Sequence, residues 1–307
     1  MRTFDTADFP FSYLEATAEG RCLLTPGFNL TTVGTVRDGA KWPARDRRQG
    51  NAKRDRITFD VFSPLTVGRM MGGVERLGAL YEKAERKVEI VSTSGVDLKR
   101  VLLKTGMKFY RSAIDMYLLE KVLARAEQAI AAGNTRLADA LAESPEAVFS
   151  EAWVDIGGQM MPRGRVEELT AAVEEGRIAD LDALGGELDR IQAAYAEDEW
   201  AWVRWAYAKT YDKDLDGATP DDLVQVAEKL VTTRSKYLKM VLHDAGKEFG
   251  AAVQTGFGQG GDDDDIAADF ASVRGYYETN KFVRQLEDDI AALTDRLERF
   301  KQAVIEL

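Results

Sequence analysis

The residues of this chain best equipped for chemistry are basic. Between Arg37 and Arg56 stand eight Lys and Arg residues against three Asp, a local charge of +5 in a chain whose net charge is −11. Arg37, Lys41, Arg45, Arg47 and Arg48 fall close together, with Trp42 among them. An arginine fork meets the oxygens of a phosphate or carboxylate two at a time, and an indole offers its face for stacking. Such a set suits a phosphorylated ligand, for example a sugar nucleotide, with Arg274 as a more distant member. The same residues have a structural reading. Asp38 and Asp46 alternate with the arginines, and Arg–Asp networks pin coil segments onto an acidic body without any ligand. Adjacent residues of an extended chain point to opposite faces, so the partners must come from elsewhere, and the acidic helices supply them. Ligand-binding arginines would converge on open space, whereas structural ones would already be paired. Most are expected to be paired, with at most two facing a cleft.

Other constellations are thinner. Asp212, Asp214, Asp216 and Gly217 hold the first, third, fifth and sixth places of an EF-hand loop. The match then ends, because Leu223 stands where the bidentate Glu is needed. Thr219-Pro220-Asp221-Asp222 reads instead as an N-cap, a proline at the first helical position and two acids favoured by the helix dipole. Asp262–Asp265, after the glycine-rich residues 256–261, could gather Mg²⁺ but reads as another acid-capped helix start. No Gly-Lys-Ser/Thr follows those glycines, so they form no phosphate loop. No metal site and no cofactor are expected. The single His, His243, lies beside Asp244 and invites a general-base reading. Ser235 is two helical turns away, out of hydrogen-bond reach, and no nucleophile motif accompanies it. A structural role is expected. The single Cys, Cys22, excludes an internal disulfide framework and is expected as a small buried residue. Trp202 and Trp205 share one helical face, with Trp200 displaced, and should be mostly buried against a helix or a subunit.

These residues need elements to position them. The 307 residues are 45% hydrophobic and 30% charged, a globular balance that suggests two domains or one large one. The acidic excess argues against a nucleic-acid or anionic-membrane partner. No apolar run approaches the roughly 20 residues of a membrane span, and no targeting segment is visible, so a cytoplasmic location is expected. Residues 1–62 carry three of the seven prolines and short apolar pieces. Phe11–Leu14, Arg21–Leu24 and Leu30–Val36 read as strands or extended segments, with a turn at Thr25-Pro26-Gly27, and a basic loop follows. From Ser63-Pro64 the apolar period becomes helical, to about Arg86. Val88–Val91 is a short apolar piece, Ser92–Gly95 a turn, and a long helix spans about Asp97–Ala132. Leu137–Leu141 continues as a short helix and Ser144-Pro145-Glu146 starts another. Gly157-Gly158 and Pro162 interrupt the chain. Val166–Glu175, Leu181–Tyr211, Pro220–Phe249 and Asp265–Leu307 then read as helices, the second and third as an antiparallel hairpin. The expected fold is mainly α, a helical bundle with a short N-terminal extended or β segment. Its expected divisions are residues 1–62, 63–142 and 143–307.

Several blocks in order along the chain carry a resemblance. They are Phe9-Pro10-Phe11-Ser12-Tyr13-Leu14, Pro26-Gly27-Phe28-Asn29-Leu30, Thr32–Asp38, Lys41-Trp42-Pro43 with Arg45–Arg48, and Phe59–Pro64 with Thr66-Val67-Gly68. Near the C-terminus they are Thr255–Gly258, Ala268-Asp269-Phe270, Val273-Arg274-Gly275 and Asn280–Val283. Together they resemble an uncharacterised bacterial family in which a left-handed β-helix of hexapeptide repeats precedes an α-helical C-terminal domain. The β-helix class includes trimeric acyltransferases acting on sugar nucleotides. This chain has no hexapeptide repeats and resembles the C-terminal portion, its extended start standing where the β-helix would finish. Lys281 departs from the proline common at that place in the family. The resemblance implies a non-catalytic helical accessory or assembly domain in a homo-oligomer, trimeric if a β-helix is attached. The alternatives are a binding or enzymatic module for a phosphorylated ligand at Arg37–Arg48, or a purely structural oligomerisation module.

Overall fold

The computed structural model describes residues 8–49, 55–134 and 136–306. Mainly helical, it is organised around one long helix. α3 (Arg100–Ala131) buries residues around most of its middle, among them Tyr110, Ile114, Tyr117, Leu118, Leu119, Val122 and Leu123. A helix apolar on so many sides must be surrounded. α2 (Pro64–Lys83), α6 (Leu181–Tyr211), α7 (Pro220–Lys247) and α9 (Lys281–Ile305) all pack on it. One contiguous core runs from Phe9 to Val304.

The start of α2 follows local rules. Ser63 caps the helix, Thr66 returns the bond to the Ser63 backbone at 2.9 Å, and Pro64 takes the first helical position. α2 lies close to α3 because Gly73 has no side chain. A Cβ there would come within 2.9 Å of the Tyr110 ring. α9 carries Val283, Leu286, Ile290, Leu293, Leu297, Phe300 and Val304 at alternating three- and four-residue steps, a heptad seam that closes on α7. α6 and α7 are joined by residues 212–219. α7 takes its main packing from α3 and α9, and α6 lies on α3, α2 and the second sheet.

Two small sheets complete the fold. β1 (Tyr13–Ala16), β2 (Cys22–Thr25), β3 (Ile90–Thr93) and β4 (Val96–Lys99) form one, in the order β1-β2-β4-β3, with β2 and β4 parallel. β5 (Trp153–Ile156) and β6 (Gln159–Pro162) form a hairpin.

Several expectations are corrected. Leu30–Val36 is not a strand: a 3₁₀ turn over Phe28–Thr31 leads into α1 (Val33–Ala44). The basic loop is therefore helical as far as Ala44. Gly34, Val36 and Gly39 are weak helix formers, so the reason is tertiary. Thr32 provides no side-chain cap, and Asp244 of α7 accepts a bond from Val33 N at 3.0 Å in its place. Asp97 lies in β4, and the long helix starts at Arg100. The turn expected over Ser92–Gly95 is present, narrowed to Ser94-Gly95 with φ of 50° and 76°, and it joins β3 to β4 as a two-residue hairpin. Gly157-Gly158 likewise turns β5 into β6 rather than merely interrupting the chain. Ser144-Pro145-Glu146 starts no helix. After a turn there, Val148 N donates to Asp198 at 2.7 Å. Residues 265–306 form two helices, because Gly275 at φ 74° ends α8 (Asp263–Arg274). A short helix, α4 (Leu137–Ala140), and α5 (Arg163–Glu174) agree with the periodicity. Among the described residues no helix is long and apolar enough to cross a membrane.

Candidate functional site

The basic segment does not fold into one cluster. Arg37 and Lys41, one turn apart on α1, line a groove of about 620 Å³ with Glu248 and Phe249 beyond the end of α7 and Phe282 and Asp289 of α9. Arg37 lies 3.7 Å from Glu248 Oε1 and 3.8 Å from Asp38 Oδ1, and Lys41 lies 3.9 Å from the same Asp38 oxygen. The Arg37 Nε is buried without a hydrogen-bond partner among the described residues. Trp42 stands out from the groove, 59% exposed, with the Arg45 guanidinium 5.7 Å from its ring centre. Arg48 folds back on its own loop, donating to both oxygens of Asp46 and to the backbone and side chain of Asp55. Arg47 and Arg274 are exposed and have no ion pair among the described residues. Arg274 is the last residue of α8, where its charge complements the helix dipole. Lys53 and Arg54 lie outside the described residues. Two of the seven candidates thus share a concavity, and the others point elsewhere.

Three carboxylates of the calcium-like loop and the helix start after it are already engaged. Asp214 accepts from Asp216 N at 3.1 Å, Asp216 pairs with Arg204, and Asp222 takes Lys213 and both donors of Thr219. The Lys213 hydrogen bond, then those of Thr219, hold the Asp222 carboxyl well below the usual range. Leu223, at the twelfth place, is buried in the core. Asp262 and Asp265 form the capping box of α8. Among the described residues no three His, Cys, Asp or Glu side chains gather into a metal-holding group. His243 is exposed on α7, and its neighbour Asp244 is the cap of α1. Cys22 is buried in β2.

Chemistry the residue pattern missed lies inside the bundle. Arg165 meets Asp198 through two bonds of 2.9 Å, both side chains out of solvent. Glu199 accepts from the Tyr117 hydroxyl at 2.8 Å and Lys121 at 2.6 Å. Burial, then the Glu199 charge, pushes the Tyr117 phenol well up, and Tyr195 beside it likewise. Arg125 grips Glu197, and Arg296 of α9 grips Glu127 and reaches Glu120. In each, a charge on α3 or α5 fixes the register of α6 or α9. Trp202 is fully buried, donating to Glu151 O at 3.1 Å. Trp200 is buried too, under the Arg125 guanidinium. Trp205 is only half-buried, between Trp202 and Phe149. The displaced Trp200 is thus deeper than Trp205, because α6 is covered on two sides at this level.

A second concavity, of about 450 Å³, lies where α2 ends and α3 begins. Tyr81, Arg86, Lys99, Arg100 and Lys104 line it, with Val88, Glu89, Ile90 and Val101. The Arg100 guanidinium and the Lys104 ammonium lie 4.3 and 4.5 Å from the Tyr81 ring centre. Lys104, by hydrogen bonding and charge, holds the Tyr81 phenol below its ordinary range, and Arg100 adds to this. Its signal in the sequence was two short basic runs, separated by a hairpin that the apolar pattern did not reveal.

A family model for a domain of unknown function, DUF6819, matches residues 133–300, more than half of the chain. The chain belongs to the DUF6819 family. Residues 1–81 match a second model, the domain of unknown function DUF4954. The DUF6819 match takes in α5 to α8 and most of α9, and the DUF4954 match takes in β1, β2, α1 and most of α2. An uncharacterized protein of Treponema pallidum (strain Nichols) is 24% identical over 221 residues, covering 62% of this chain and 29% of the relative. The chain thus spans under a third of that relative's length. No solved structure matches it. In this DUF6819 chain Asn280 caps α9 by accepting from Phe282 N and Val283 N. Lys281 takes the first helical position, the one place where lysine and proline are interchangeable without losing a backbone bond.

Proposed function

We propose that this chain is a non-catalytic helical accessory domain that supports assembly of a hexapeptide-repeat, sugar-nucleotide-transferase-like protein. It acts as a homo-oligomer, trimeric where a left-handed β-helix is attached. The observation that carries this reading is the edge of the first sheet. All four residues of edge strand β1 are exposed: Tyr13 packs on Phe28, the two rings 5.8 Å apart, and Leu14 is an exposed apolar side chain on the other face of the strand. Apolar side chains on an open strand edge are an adhesive surface that proteins otherwise blunt. The interior favours the same reading, since its buried charges serve as braces between helices.

The test is sedimentation velocity on the full chain. Wild type should sediment as a discrete oligomer, and Leu14→Asp with Phe28→Asp should reduce it to a monomer of unchanged circular dichroism. A wild type that stays monomeric at the highest concentration reached would overturn the proposal.

The second reading, recognition of a phosphorylated ligand by the basic segment, is favoured by one observation. Arg37 and Lys41 share a groove, and the Arg37 Nε is unsatisfied there. A thermal-shift panel of sugar nucleotides and simple phosphates at low salt, with Arg37→Gln beside the parent, tests it. Stabilisation lost in the variant supports this reading, and a parent that responds to none refutes it.

A further inference from the structure

The chain holds 52 Asp and Glu against 41 Lys and Arg, so a cation is easily matched with a carboxylate. Around the concavity between α2 and α3 that does not happen. Arg86, Lys99, Arg100 and Lys104 wall it beside one carboxylate, Glu89, and none of the four has a carboxylate within ion-pair distance among the described residues. Gathering four like charges costs free energy that an anion in their midst would offset.

The cations are positioned rather than merely near one another. Arg100 N donates to Glu89 O at 2.8 Å and its Nε to Ala84 O at 3.4 Å, which ties the start of α3 to the β3 side of the hairpin. The rest of the guanidinium faces Tyr81, whose phenol it helps hold below its ordinary range. The Tyr81 ring holds Arg100 and Lys104 side by side. Lys99, at the N-cap, has no acceptor to offer the first turn of α3, so the helix adds its positive end to the same wall. The rim is of another kind. Val88, Ile90 and Val101 are exposed, Val101 by 73%. Cationic walls under an apolar rim match an anion joined to a flat or apolar group.

We propose that this pocket binds the diphosphate group of a small phosphorylated molecule of the nucleoside diphosphate class, with the nucleoside against Val88, Ile90 and Val101. Arg86, Lys99, Arg100 and Lys104 meet the phosphate oxygens. The site is separate from the Arg37 groove and from the β1 patch, and does not depend on the assembly reading.

Isothermal titration calorimetry on the full chain at low ionic strength tests the proposal, with orthophosphate, inorganic pyrophosphate and ADP as probes. Pyrophosphate should bind at one site more tightly than orthophosphate, and ADP at least as tightly as pyrophosphate. Lys99→Gln with Lys104→Gln should weaken pyrophosphate by about tenfold or more, since each lost contact is a charge-assisted hydrogen bond. Arg37→Gln should leave it unchanged. Both lysines are exposed, so the fold should survive, and Lys99→Gln alone serves if the double variant melts early. Equal pyrophosphate binding by the lysine variant and wild type, or none by wild type, overturns the site. ADP weaker than pyrophosphate overturns the nucleoside assignment.

Discussion

Asp198 is the carboxylate on which the second half of the molecule is hung, and removing it should be costly. Its side chain is 0% exposed and that of Arg165 6%. It accepts three bonds, two of 2.9 Å from Arg165 and one of 2.7 Å from Val148 N. In Asp198→Ala all three donors lose their acceptor and a guanidinium is left buried. Breaking a buried pair from one side costs about 3–5 kcal/mol. Glu168, largely exposed and 3.6 Å from Arg165, offers a fallback that keeps the figure toward the lower end. A loss of about 3 kcal/mol, at roughly 2 °C per kcal/mol for a chain this long, lowers Tm by about 6 °C. The companion variant Arg165→Met with Asp198→Leu removes both charges and should stay within about 1–2 kcal/mol of wild type, because no unpaired charge remains. Urea denaturation of wild type, Arg165→Met, Asp198→Leu and the double variant closes the cycle, with Asp198→Ala measured beside them. A loss below about 1 kcal/mol in Asp198→Ala, or a double variant worse than either single one, would refute the reasoning.

The tryptophans should separate by depth. Trp202→Ala should cost about 3–5 kcal/mol in urea denaturation and Trp205→Ala clearly less, and equal losses would contradict their different burial. The buried tyrosines set an alkaline limit. Burial pushes Tyr237 up to about 12, and Tyr117, Tyr195 and Tyr211 are raised as well, by burial first. A phenol raised on folding contributes stability that is whole below the unfolded value of about 10 and is lost as pH rises through the folded one. The urea midpoint should therefore fall as pH climbs above about 10, with buried phenolates appearing in the ultraviolet only as the chain unfolds. A midpoint unchanged to the folded values would refute this.

Much of the scaffold was legible because its signals are local. Ser63-Pro64, Thr219-Pro220 and Asp262 with Asp265 name their helix starts by capping chemistry alone, and all three caps form. The limits of α6 and the burial of Cys22 followed from periodicity and residue type.

What tertiary structure decided are the matters in which distant residues settle a local choice. Val33–Ala44 has the glycines and β-branched residues of an extended segment, yet it is helical because Asp244, 211 residues away, caps it. Arg165 and Asp198 carry no motif, and only the packing of α5 on the second sheet and of α6 beneath it makes them a pair. The basic residues of 37–48 are neighbours in the chain, but α1 carries only Arg37 and Lys41, on one side, and ends before Arg45, Arg47 and Arg48. Arg86, Lys99, Arg100 and Lys104 became one wall only when a two-residue turn at Ser94-Gly95 folded the chain between them. Charge composition is additive and can be read from the chain. Charge convergence depends on the direction of each side chain, and that direction is fixed by contacts no short window of sequence contains.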